Sequence, residues 1–483
     1  MDVVGKKVIE NPQPLVIDLD GTLVQTDMLV ESGLYLLRHT PLTLLTAPFW
    51  LLNGKSVLKA ELASRFAFDP GHLPYNNQTL ALIKEARQQG RYIVLATASH
   101  KSIADRIASH LGYFDQVLAS DEKHNLSGHR KADALVSLFG HQGFDYAGNS
   151  SDDLPVWEIA RKAIVVNAPR RVKRTAEKAG NVSQVINTTH STPKDWFKAL
   201  RPHQWLKNAL LLLPLLAAHQ FGSPQAITFA MLGILLFSLC ASSAYLLNDL
   251  LDLPDDRQHP SKRFRPLASG RISALPALLL SGIMAVAPIA IALTMLPPAF
   301  AATLVVYYGL TLAYSFWLKR LVAIDVITLA VLYTLRIIAG AFAIDVPLTF
   351  WLLTFSLFLF LSLALMKRFT ELQQARAQGK NHKPGGRGYY ASDLEMVSSM
   401  GVASGFISIL ILALYVQDST TAIHYSHPPI LWLVCPIMLF WITRVWFLTH
   451  RGEMQDDPVL FAVKDKTSLI TVLLVLCVFG AAL

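Results

Sequence analysis

The sequence has few charged residues and few cysteines. Only 16% of its 483 residues are Asp, Glu, Lys or Arg, whereas 52% are hydrophobic, and this balance excludes an ordinary soluble protein. Cys240, Cys435 and Cys477 lie in apolar stretches without CxxC spacing, which excludes a disulfide framework and a cysteine metal site. No apolar signal core precedes the first charged residues, so we expect the amino-terminal part to stay in the cytoplasm.

The apolar residues are unevenly distributed along the chain. Residues up to about 195 have the mixed composition of a soluble protein, whereas those after about 205 run in long uncharged stretches. This shift predicts a first domain over 1–190, an interfacial linker over 191–204 and a membrane domain over 205–483. The net charge of +9 comes from basic residues gathered between apolar runs, so we expect membrane and anionic-substrate contacts and no nucleic acid.

The second half contains about nine candidate membrane spans, since a span needs roughly 17 to 25 mostly apolar residues. They cover 205–221, 226–247, 274–296, 299–316, 323–344, 348–366, 394–415, 430–449 and 467–483. The loops after the second, fourth, sixth and eighth spans carry Lys and Arg, and the alternate loops carry none. Because basic loops remain cytoplasmic, this alternation predicts a protein of the inner (cytoplasmic) membrane with its amino terminus inside and its carboxyl terminus outside.

The densest charge follows the second span, in NDLLDLPDDRQHPSKRFRP over 248–266. Asp249, Asp252 and Asp256 recur at three and four residues, which would place them on one face of a continuing helix. Grouped carboxylates near hydrocarbon are costly unless paired or metal-bound, and three that converge suit Mg²⁺ carrying a diphosphate. The basic residues that follow can hold the remaining phosphate oxygens; they are His259, Lys262, Arg263 and Arg265.

This stretch resembles the first signature, NDxxDxxxD, of the UbiA-type intramembrane prenyltransferase superfamily, with Asn248 orienting the acids. RPHQWLKN, HPSKRFRPLASG, YTLRIIAGA, MKRFTEL and DPVLFAVKDKTS look like the decaprenyl-phosphate phosphoribosyltransferase branch of that superfamily. The resemblance implies an all-α membrane domain that uses phosphoribosyl pyrophosphate as donor and a polyprenyl phosphate as acceptor.

The second family signature, DxxxD, is incomplete. Asp325 is followed by Leu329 where a second acid would stand, and this departure favours a sugar diphosphate over a prenyl diphosphate. Asp325 is either a site residue or a packing residue, and Arg336, inside a span, should pair with a carboxylate or face substrate. The other expected phosphate ligands are Lys319, Lys367 and Arg368. The glycines of KPGGRGYY indicate either a mobile cover or a solvated loop.

The first half begins with PLVIDLDGTL, a buried-strand pattern that ends in two acids and a turn. It resembles the DxDGT motif of the haloacid dehalogenase superfamily, and YIVLATAS, HRKADAL and FDYAGNSSDDLPVW resemble its later motifs in order. The resemblance implies a Rossmann-like α/β domain with a small helical cap between Thr26 and Lys84. The apolar cap stretch PLTLLTAPFWLL is either cap core or a lipid-touching face.

The same resemblance implies the roles of the residues in this domain. Asp18 would attack phosphorus and Asp20 would act as acid and then base, while Thr97 and Lys131 would bind the phosphoryl group. Mg²⁺ would be held by Asp18, Asp20, Asn149 and Asp153. Asn149 stands where the family usually has Asp, so we expect weaker metal binding, because an amide brings no charge.

The two modules together predict a bifunctional enzyme that transfers 5-phosphoribose to polyprenyl phosphate and then removes the 5-phosphate. One alternative keeps the membrane fold with a prenyl diphosphate donor and an aromatic acceptor. Another makes the first module a non-catalytic regulator. The sequence leaves open the polyprenyl length, the downstream glycoconjugate and the oligomeric state, a homo-oligomer included.

Overall fold

The computed structural model describes residues 12–188, 191–377, 379, 387–417, 425–454 and 457–483. Its internal contacts divide the chain into two compact units. The first unit runs to Leu200 and also contains Tyr245–Ser281; the second contains Arg201–Ala244 and Gly282–Leu483. The acidic stretch after the second apolar run therefore belongs to the same unit as the amino-terminal domain.

The first unit is built on a sheet of six parallel strands in the order β3-β2-β1-β4-β5-β6. The strands are β1 Leu15–Ile17, β2 Ile93–His100, β3 Gln116–Ser120, β4 Asp145–Gly148, β5 Lys162–Val166 and β6 Val182–Ile186. All three residues of β1 are fully buried, as expected for a central strand covered by helices on both faces. This topology confirms the Rossmann-like α/β domain that the sequence predicts.

Alternating side chains of the strands build two cores, one on each face of the sheet. Ile17 and Leu95 pack into one core, whereas their neighbours Val16 and Val94 pack into the other. The helices of this part are α1 Met28–His39, α2 Ala47–Leu52, α3 Lys55–Arg65, α4 Asn77–Gln88, α5 Lys101–Leu111, α6 His129–Phe139, α7 Leu154–Ile159, α8 Arg170–Lys178 and α9 Pro193–Leu200.

The helical insert after β1 contains α1, α2 and α3, in agreement with the predicted cap. Its apolar stretch from Pro41 to Leu52 has no buried residue, and Leu42, Leu45 and Leu52 are 78%, 76% and 86% exposed. The interpretation of this stretch as cap core is therefore wrong, and the lipid-touching alternative is favoured.

Seven helices are long and apolar enough to span a membrane, counted over the described residues. The remaining helices of the chain are α10 Leu213–Ala217, α11 Pro224–Leu251, α12 Leu253–Gln258, α13 Ala274–Met295, α14 Pro298–Phe316, α15 Ile324–Ala343, α16 Phe350–Ala377, α17 Leu394–Gln417, α18 Val434–His450, α19 Pro458–Lys464 and α20 Lys466–Ala482. The seven are α11, α13 to α16, and α17 and α18 with the 3₁₀ turns that precede them.

The first and last of the nine predicted spans are not confirmed. Residues 205–221 form a 3₁₀ segment, Pro202–Leu212, followed by the short helix α10, because Pro214 has no amide hydrogen to continue a helix. The last stretch is one helix, but the 17 residues of α20 reach only about 26 Å, less than the hydrocarbon core of roughly 30 Å.

The core of the second unit lies among α15, α16, α17 and α18. Close approach of α17 and α18 depends on Gly401, where an added methyl group would lie 2.3 Å from the Trp446 ring. The Trp446 indole donates a hydrogen bond to Ser362 of α16 at 3.1 Å. This packing fixes α16, which carries the predicted phosphate ligands Lys367 and Arg368.

Candidate active sites

The first candidate site lies at the carboxyl ends of the central strands. Asp18 directly follows β1, Thr97 lies in β2, and Asn149 directly follows β4. β1 pairs with β2 on one side and with β4 on the other, so the strand order reverses at this point. Open α/β sheets bind their ligands at such switch points.

A buried lysine connects two acids of this site. The Lys131 ammonium, supplied by the first turn of α6, donates to Asp18 Oδ1 at 2.9 Å and to Asp153 Oδ1 at 3.2 Å. It also donates to the Tyr146 hydroxyl at 2.9 Å, and that hydroxyl donates to Asp153 at 2.6 Å. The side chains of Lys131 and Asp153 are almost fully buried, so the pairing is held in a low-dielectric environment.

Asp20 is held by a separate set of donors. The Ser99 hydroxyl donates to its Oδ2 at 2.6 Å, and the Met28 amide at the start of α1 donates to its Oδ1 at 2.8 Å. The Thr97 hydroxyl lies 3.5 Å from Oδ2 and accepts from the Ser99 amide at 2.9 Å. The structure therefore brings Asp18, Asp20, Thr97 and Lys131 together at one edge of the sheet.

Both acids of the DxDGT motif have perturbed ionisation. Burial, which outweighs the attraction of Lys131, raises the pKa of Asp18 to about 7. Burial and the charge of Asp27 raise the pKa of Asp20 to about 6. For Asp153, the charge of Lys131 and hydrogen bonds outweigh burial and lower the pKa. The site thus has more carboxylate charge than Lys131 neutralises, so a bound cation would stabilise it.

The residues at this edge of the sheet fit Mg²⁺ by their chemistry. Asp18 and Asp20 offer hard carboxylate oxygens, and the Asn149 amide lies against Gly21, where an added methyl group would be 1.9 Å from Nδ2. Asp153 accepts hydrogen bonds from the Asn149 and Ser150 amides at 2.9 and 3.0 Å, which orders this loop. Within the described ranges no three His, Cys, Asp or Glu side chains surround a metal position, so an amide would have to complete the set.

The acidic stretch of 248–256 forms the second candidate site. The helix is interrupted only at Asp252, between α11 and α12, because Pro254 occupies the second position of α12. The Asp252 amide still donates to Asn248 O at 2.9 Å, and the Asp256 amide donates to Asp252 O at 2.8 Å. The predicted helix therefore breaks at Asp252, although backbone hydrogen bonds continue on both sides of the break. Among the residues that the structure describes, the three acids do not converge into one group, so that prediction is not met.

Arg265 brings two of the predicted acids together. Its Nη1 donates to Asp249 Oδ1 at 3.1 Å and to Asp256 Oδ2 at 2.6 Å. Burial and the charge of Asp249 raise the pKa of Asp256 against the attraction of Arg265. The carboxylate oxygens here also fit Mg²⁺ by type.

Asp252 makes different contacts. It accepts from the Asn248 amide group at 3.0 Å and lies 3.7 Å from Arg38 Nη1, a residue of α1. Asp255, which has no place in the NDxxDxxxD pattern, accepts from Arg38 Nη2 at 2.6 Å. Of the remaining predicted phosphate ligands, Lys262 lies 4.0 Å from Asp256, and His259 and Arg263 are exposed.

The second unit holds a buried ion pair at the start of α15. Arg368 Nε lies 2.6 Å from Asp325 Oδ2, and both side chains are almost completely buried. The Tyr314 hydroxyl donates to the other Asp325 oxygen at 2.8 Å. Two residues that the sequence placed in a substrate site are thus paired with each other. Lys319 lies in a half-buried 3₁₀ turn before them.

Arg336 is buried inside α15, where its hydrogen bonds go to neutral groups. It donates to Asn208 Oδ1 at 2.9 Å, to the Leu332 carbonyl at 2.5 Å and to the Tyr307 hydroxyl at 3.1 Å. The rings of Phe237, Tyr307 and Tyr333 lie within 5.4 Å of its guanidinium carbon. Among the described residues no carboxylate pairs with it, so of the two predicted alternatives the paired carboxylate is not met and the substrate-facing position stays a prediction.

Two lysines and one aspartate of this unit form a charged group. The sequence did not predict that these three residues meet. Lys207 Nζ lies 2.7 Å and Lys367 Nζ 3.4 Å from Asp457 Oδ2. The attraction of the lysines outweighs burial and lowers the pKa of Asp457 to about 2. Lys207 and Asp457 lie within RPHQWLKN and DPVLFAVKDKTS, so those motifs were the signal that could have identified them.

The loop that ends in KPGGRGYY is described only at its end. Gly385 and Gly386 lie outside the described residues. Arg387 pairs with Glu371, which also pairs with Arg368. The Tyr389 hydroxyl accepts from the Ala323 amide at 3.1 Å. The end of the loop therefore packs beside the turn that precedes Asp325.

These features define an integral membrane protein that carries an α/β module with a phosphohydrolase-like acid pair. The chain belongs to the UbiA prenyltransferase family, whose profile matches residues 209–479. Residues 15–158 match the profile of haloacid dehalogenase-like hydrolases.

Several known proteins resemble this chain. An uncharacterized protein of Sinorhizobium fredii is 40% identical over 97% of this chain and 90% of its own. The decaprenyl-phosphate phosphoribosyltransferase of Mycolicibacterium smegmatis is 30% identical over 63% of this chain and 98% of its own. A UbiA homolog from Archaeoglobus fulgidus, solved with DMAPP and Mg²⁺, has 16% identity and a TM-score of 0.46 over 59% of this chain and 99% of that chain.

Proposed function

We propose that this protein transfers 5-phosphoribose from phosphoribosyl pyrophosphate to a polyprenyl phosphate and then removes the 5-phosphate, giving polyprenylphosphoryl ribose. The observation that carries the choice of donor is the incomplete DxxxD signature, in which Leu329 stands where a second acid would be and Asp325 is paired with Arg368. The similarity to phosphoribosyltransferases of mycobacteria supports the same choice.

In the transfer step the bond between the anomeric carbon and the pyrophosphate oxygen breaks, and an acceptor phosphate oxygen bonds to that carbon. The acceptor is already anionic at neutral pH, since its second pKa is roughly 6, so it needs no general base. Bound Mg²⁺ would neutralise charge on the leaving pyrophosphate. We assign the metal to Asp249, Asp252 and Asp256, oriented by Asn248.

Cationic side chains would hold the phosphate groups in this step, and they contribute by position and charge. In the first unit Arg265 already lies against Asp249 and Asp256, within reach of an oxygen bound there. In the second unit Lys207 and Lys367 lie at one carboxylate oxygen of Asp457, and two ammonium groups so close together suit an anionic phosphate. The other assigned ligands are His259, Lys262, Arg263, Lys319, Arg336 and Arg368.

In the second step Asp18 attacks the 5-phosphate phosphorus, and the ribose oxygen leaves with a proton from Asp20. Water then attacks the aspartyl-phosphate while Asp20 takes its proton, which releases inorganic phosphate. Lys131 and Thr97 would hold the phosphoryl oxygens. Asp20 suits both parts of this role because its raised pKa of about 6 lies near neutral pH.

We place both reactions on the cytoplasmic side of the inner membrane. The basic loops of the second half alternate with loops that carry no Lys or Arg. Both substrates are anionic, and phosphoribosyl pyrophosphate is water-soluble, so the sites must be reached from water.

Mass spectrometry of the lipid product tests the proposal. Purified protein is incubated with Mg²⁺, phosphoribosyl pyrophosphate and polyprenyl phosphate. We expect wild type to give the dephosphorylated lipid, Asp18→Asn to give the 5-phosphorylated lipid, and Asp252→Asn to give neither. An exposed acid of the first unit, Asp133, provides the control variant Asp133→Asn.

Different results identify which half of the proposal fails. If Asp18→Asn gives the same product as wild type, the dephosphorylation step is wrong. If wild type consumes a prenyl diphosphate and an aromatic acceptor but leaves phosphoribosyl pyrophosphate intact, the donor is wrong.

A further inference from the structure

Helix α1 of the cap carries two charged side chains that contact the acidic stretch. Glu31 and Arg38 are seven residues apart, so they lie on the same face, two turns from each other. Both reach residues of 251–257, which belong to the same compact unit as α1. Neither residue belongs to a phosphatase motif or to a transferase motif of the sequence.

Glu31 forms a buried, two-pronged ion pair with Arg257 of α12. Arg257 Nη1 donates to Glu31 Oε2 at 2.9 Å, and Nη2 donates to Oε1 at 2.5 Å. The side chains are only 5% and 7% exposed. Arg257 Nε also donates to the Ala268 carbonyl at 3.2 Å. Removing one partner of such a pair leaves the other charge buried without compensation, which is strongly unfavourable.

Arg38 contacts the junction between α11 and α12. Its Nη1 donates to the carbonyl of Leu251, the last residue of α11, at 3.1 Å. A carbonyl at the end of a helix lacks an intrahelical partner, so this bond stabilises the helix end. Its Nη2 donates to Asp255 at 2.6 Å, and Nη1 lies 3.7 Å from Asp252. Arg38 thus contacts the acidic stretch at the break between α11 and α12.

The opposite end of α1 contacts the phosphatase site. The amide of Met28, its first residue, donates to Asp20 at 2.8 Å. Close packing continues just before the helix, where Gly270 lies so near Gln25 that an added methyl group would be 2.8 Å from Gln25 Cβ. The helix therefore joins the acid of one candidate site to the acids of the other.

We propose that α1 is a positioning element of the diphosphate site: Glu31 fixes α12, and Arg38 orders Asp252 and Asp255. The transferase half of this protein then requires a helix of the phosphatase half, independently of phosphatase chemistry. The expected effect on ribosylation rests on the proposed function, whereas the ordering of the acidic stretch by α1 does not.

The test uses the full-length protein and two readouts. Hydrogen exchange of amides over 249–258 measures the order of the acidic stretch, and lipid ribosylation measures activity. We expect Glu31→Gln to raise exchange there on the order of 10-fold or more, and to lower ribosylation by a similar factor. A double variant that exchanges the charges, Glu31→Arg with Arg257→Glu, should restore part of the protection from exchange and part of the ribosylation activity. The matched control is Glu61→Gln, which breaks a more exposed pair with Arg65 within the same cap.

Arg38→Gln keeps the inference testable if Glu31→Gln does not fold. We expect faster exchange at 251–256 and a higher KM for phosphoribosyl pyrophosphate, with Arg38→Lys intermediate. Unchanged exchange in both Glu31→Gln and Arg38→Gln overturns the inference, as does faster exchange with ribosylation unchanged. If wild type does not use phosphoribosyl pyrophosphate at all, the proposed function fails, but the exchange data still decide whether α1 orders the acidic stretch.

Discussion

Lys207 and Asp457 lie 250 positions apart in the chain and meet through a 2.7 Å contact between Nζ and Oδ2. Lys367 approaches the same carboxylate oxygen at 3.4 Å. One acid therefore pairs with two cations that come from different segments of the second unit, the 3₁₀ segment Pro202–Leu212 and α16.

Replacing that acid should destabilise the second unit. Asp457→Asn removes the carboxylate that lies between the two lysines, and we expect the free energy of unfolding to fall by about 3 kcal/mol. Because the pKa of Asp457 is lowered to about 2, its contribution is complete above the ordinary value near 4 and is lost as pH falls toward 2. Thermal unfolding in detergent measures the effect. Asp105→Asn, which breaks an exposed pair with Lys101, should change stability by less than about 1 kcal/mol.

Mg²⁺ binding to the phosphatase site should release protons near pH 6.5. The pKa values of Asp18 and Asp20 are raised to about 7 and about 6, so the metal-free site binds protons that a metal must displace. Because both pKa values are raised in the folded protein, the two acids contribute their full stabilisation below the ordinary pKa near 4, and that contribution is lost as pH rises toward 7. Bound Mg²⁺ should offset the loss. Titration calorimetry in two buffers counts the protons. Equal proton release in wild type and Asp18→Asn would contradict this assignment.

Asn149→Asp should strengthen Mg²⁺ binding at the same site. The substitution adds a carboxylate next to Gly21, and we expect the Mg²⁺ concentration for half-maximal phosphatase activity to fall roughly 10-fold. Without metal the variant should be less stable, because a further negative charge joins Asp18 and Asp153. Asn53→Asp makes the same change at an exposed cap position and should leave the Mg²⁺ requirement unaltered. A variant with unchanged or weaker binding would show that Asn149 is not a ligand.

Gly270→Ala should destabilise the first unit more than Gly180→Ala. Both glycines have positive φ, +73° and +77°, so a side chain costs about 1–2 kcal/mol at either position. Only Gly270 lies against Gln25, and relieving that overlap should cost about 1–3 kcal/mol more, whereas nothing lies within 4 Å of a methyl group at Gly180. Denaturation of the purified protein gives the difference. Equal losses would mean that Gln25 moves away without cost.

The exposed cap stretch from Pro41 to Leu52 should contact lipid. We expect a fluorophore on Leu45→Cys to be quenched by nitroxide-labelled lipids, because Leu45 and its apolar neighbours are exposed. Leu138→Cys, at an exposed leucine of α6, is the control and should be quenched less. The exposed Cys477 is replaced by Ser in both variants. Equal quenching at both positions would refute lipid contact.

Much of the fold was predictable because its signals are local. The strand that precedes Asp18 and seven of the nine spans each depend on a short stretch of sequence. The two spans that are not confirmed depend on local features as well. Pro214 interrupts one stretch, and the other is a helix of 17 residues, at the lower limit of the length that a span needs.

The charge pairs were not predictable in the same way. Glu31 and Arg38 have the spacing of an ordinary solvated helix face, and nothing near them indicates Arg257 or Asp255, more than 200 residues later. Lys207 and Asp457 lay in recognised motifs, but a motif does not say which residues meet. Asp325 and Arg368 were both predicted as residues of the substrate site, and only the structure shows that they pair with each other.

The contacts of α1 also limit how this gene can be rearranged. A cut between Thr188 and Ser191 would leave the two pieces tied by the ion pairs of Glu31 with Arg257 and of Arg38 with Asp255. Two separately encoded polypeptides should therefore assemble. By contrast, a chimaera that receives an unrelated phosphatase domain would bury the Arg257 guanidinium without its carboxylate. The choice of phosphatase domain therefore matters more than the length of the linker for whether such a fusion protein folds.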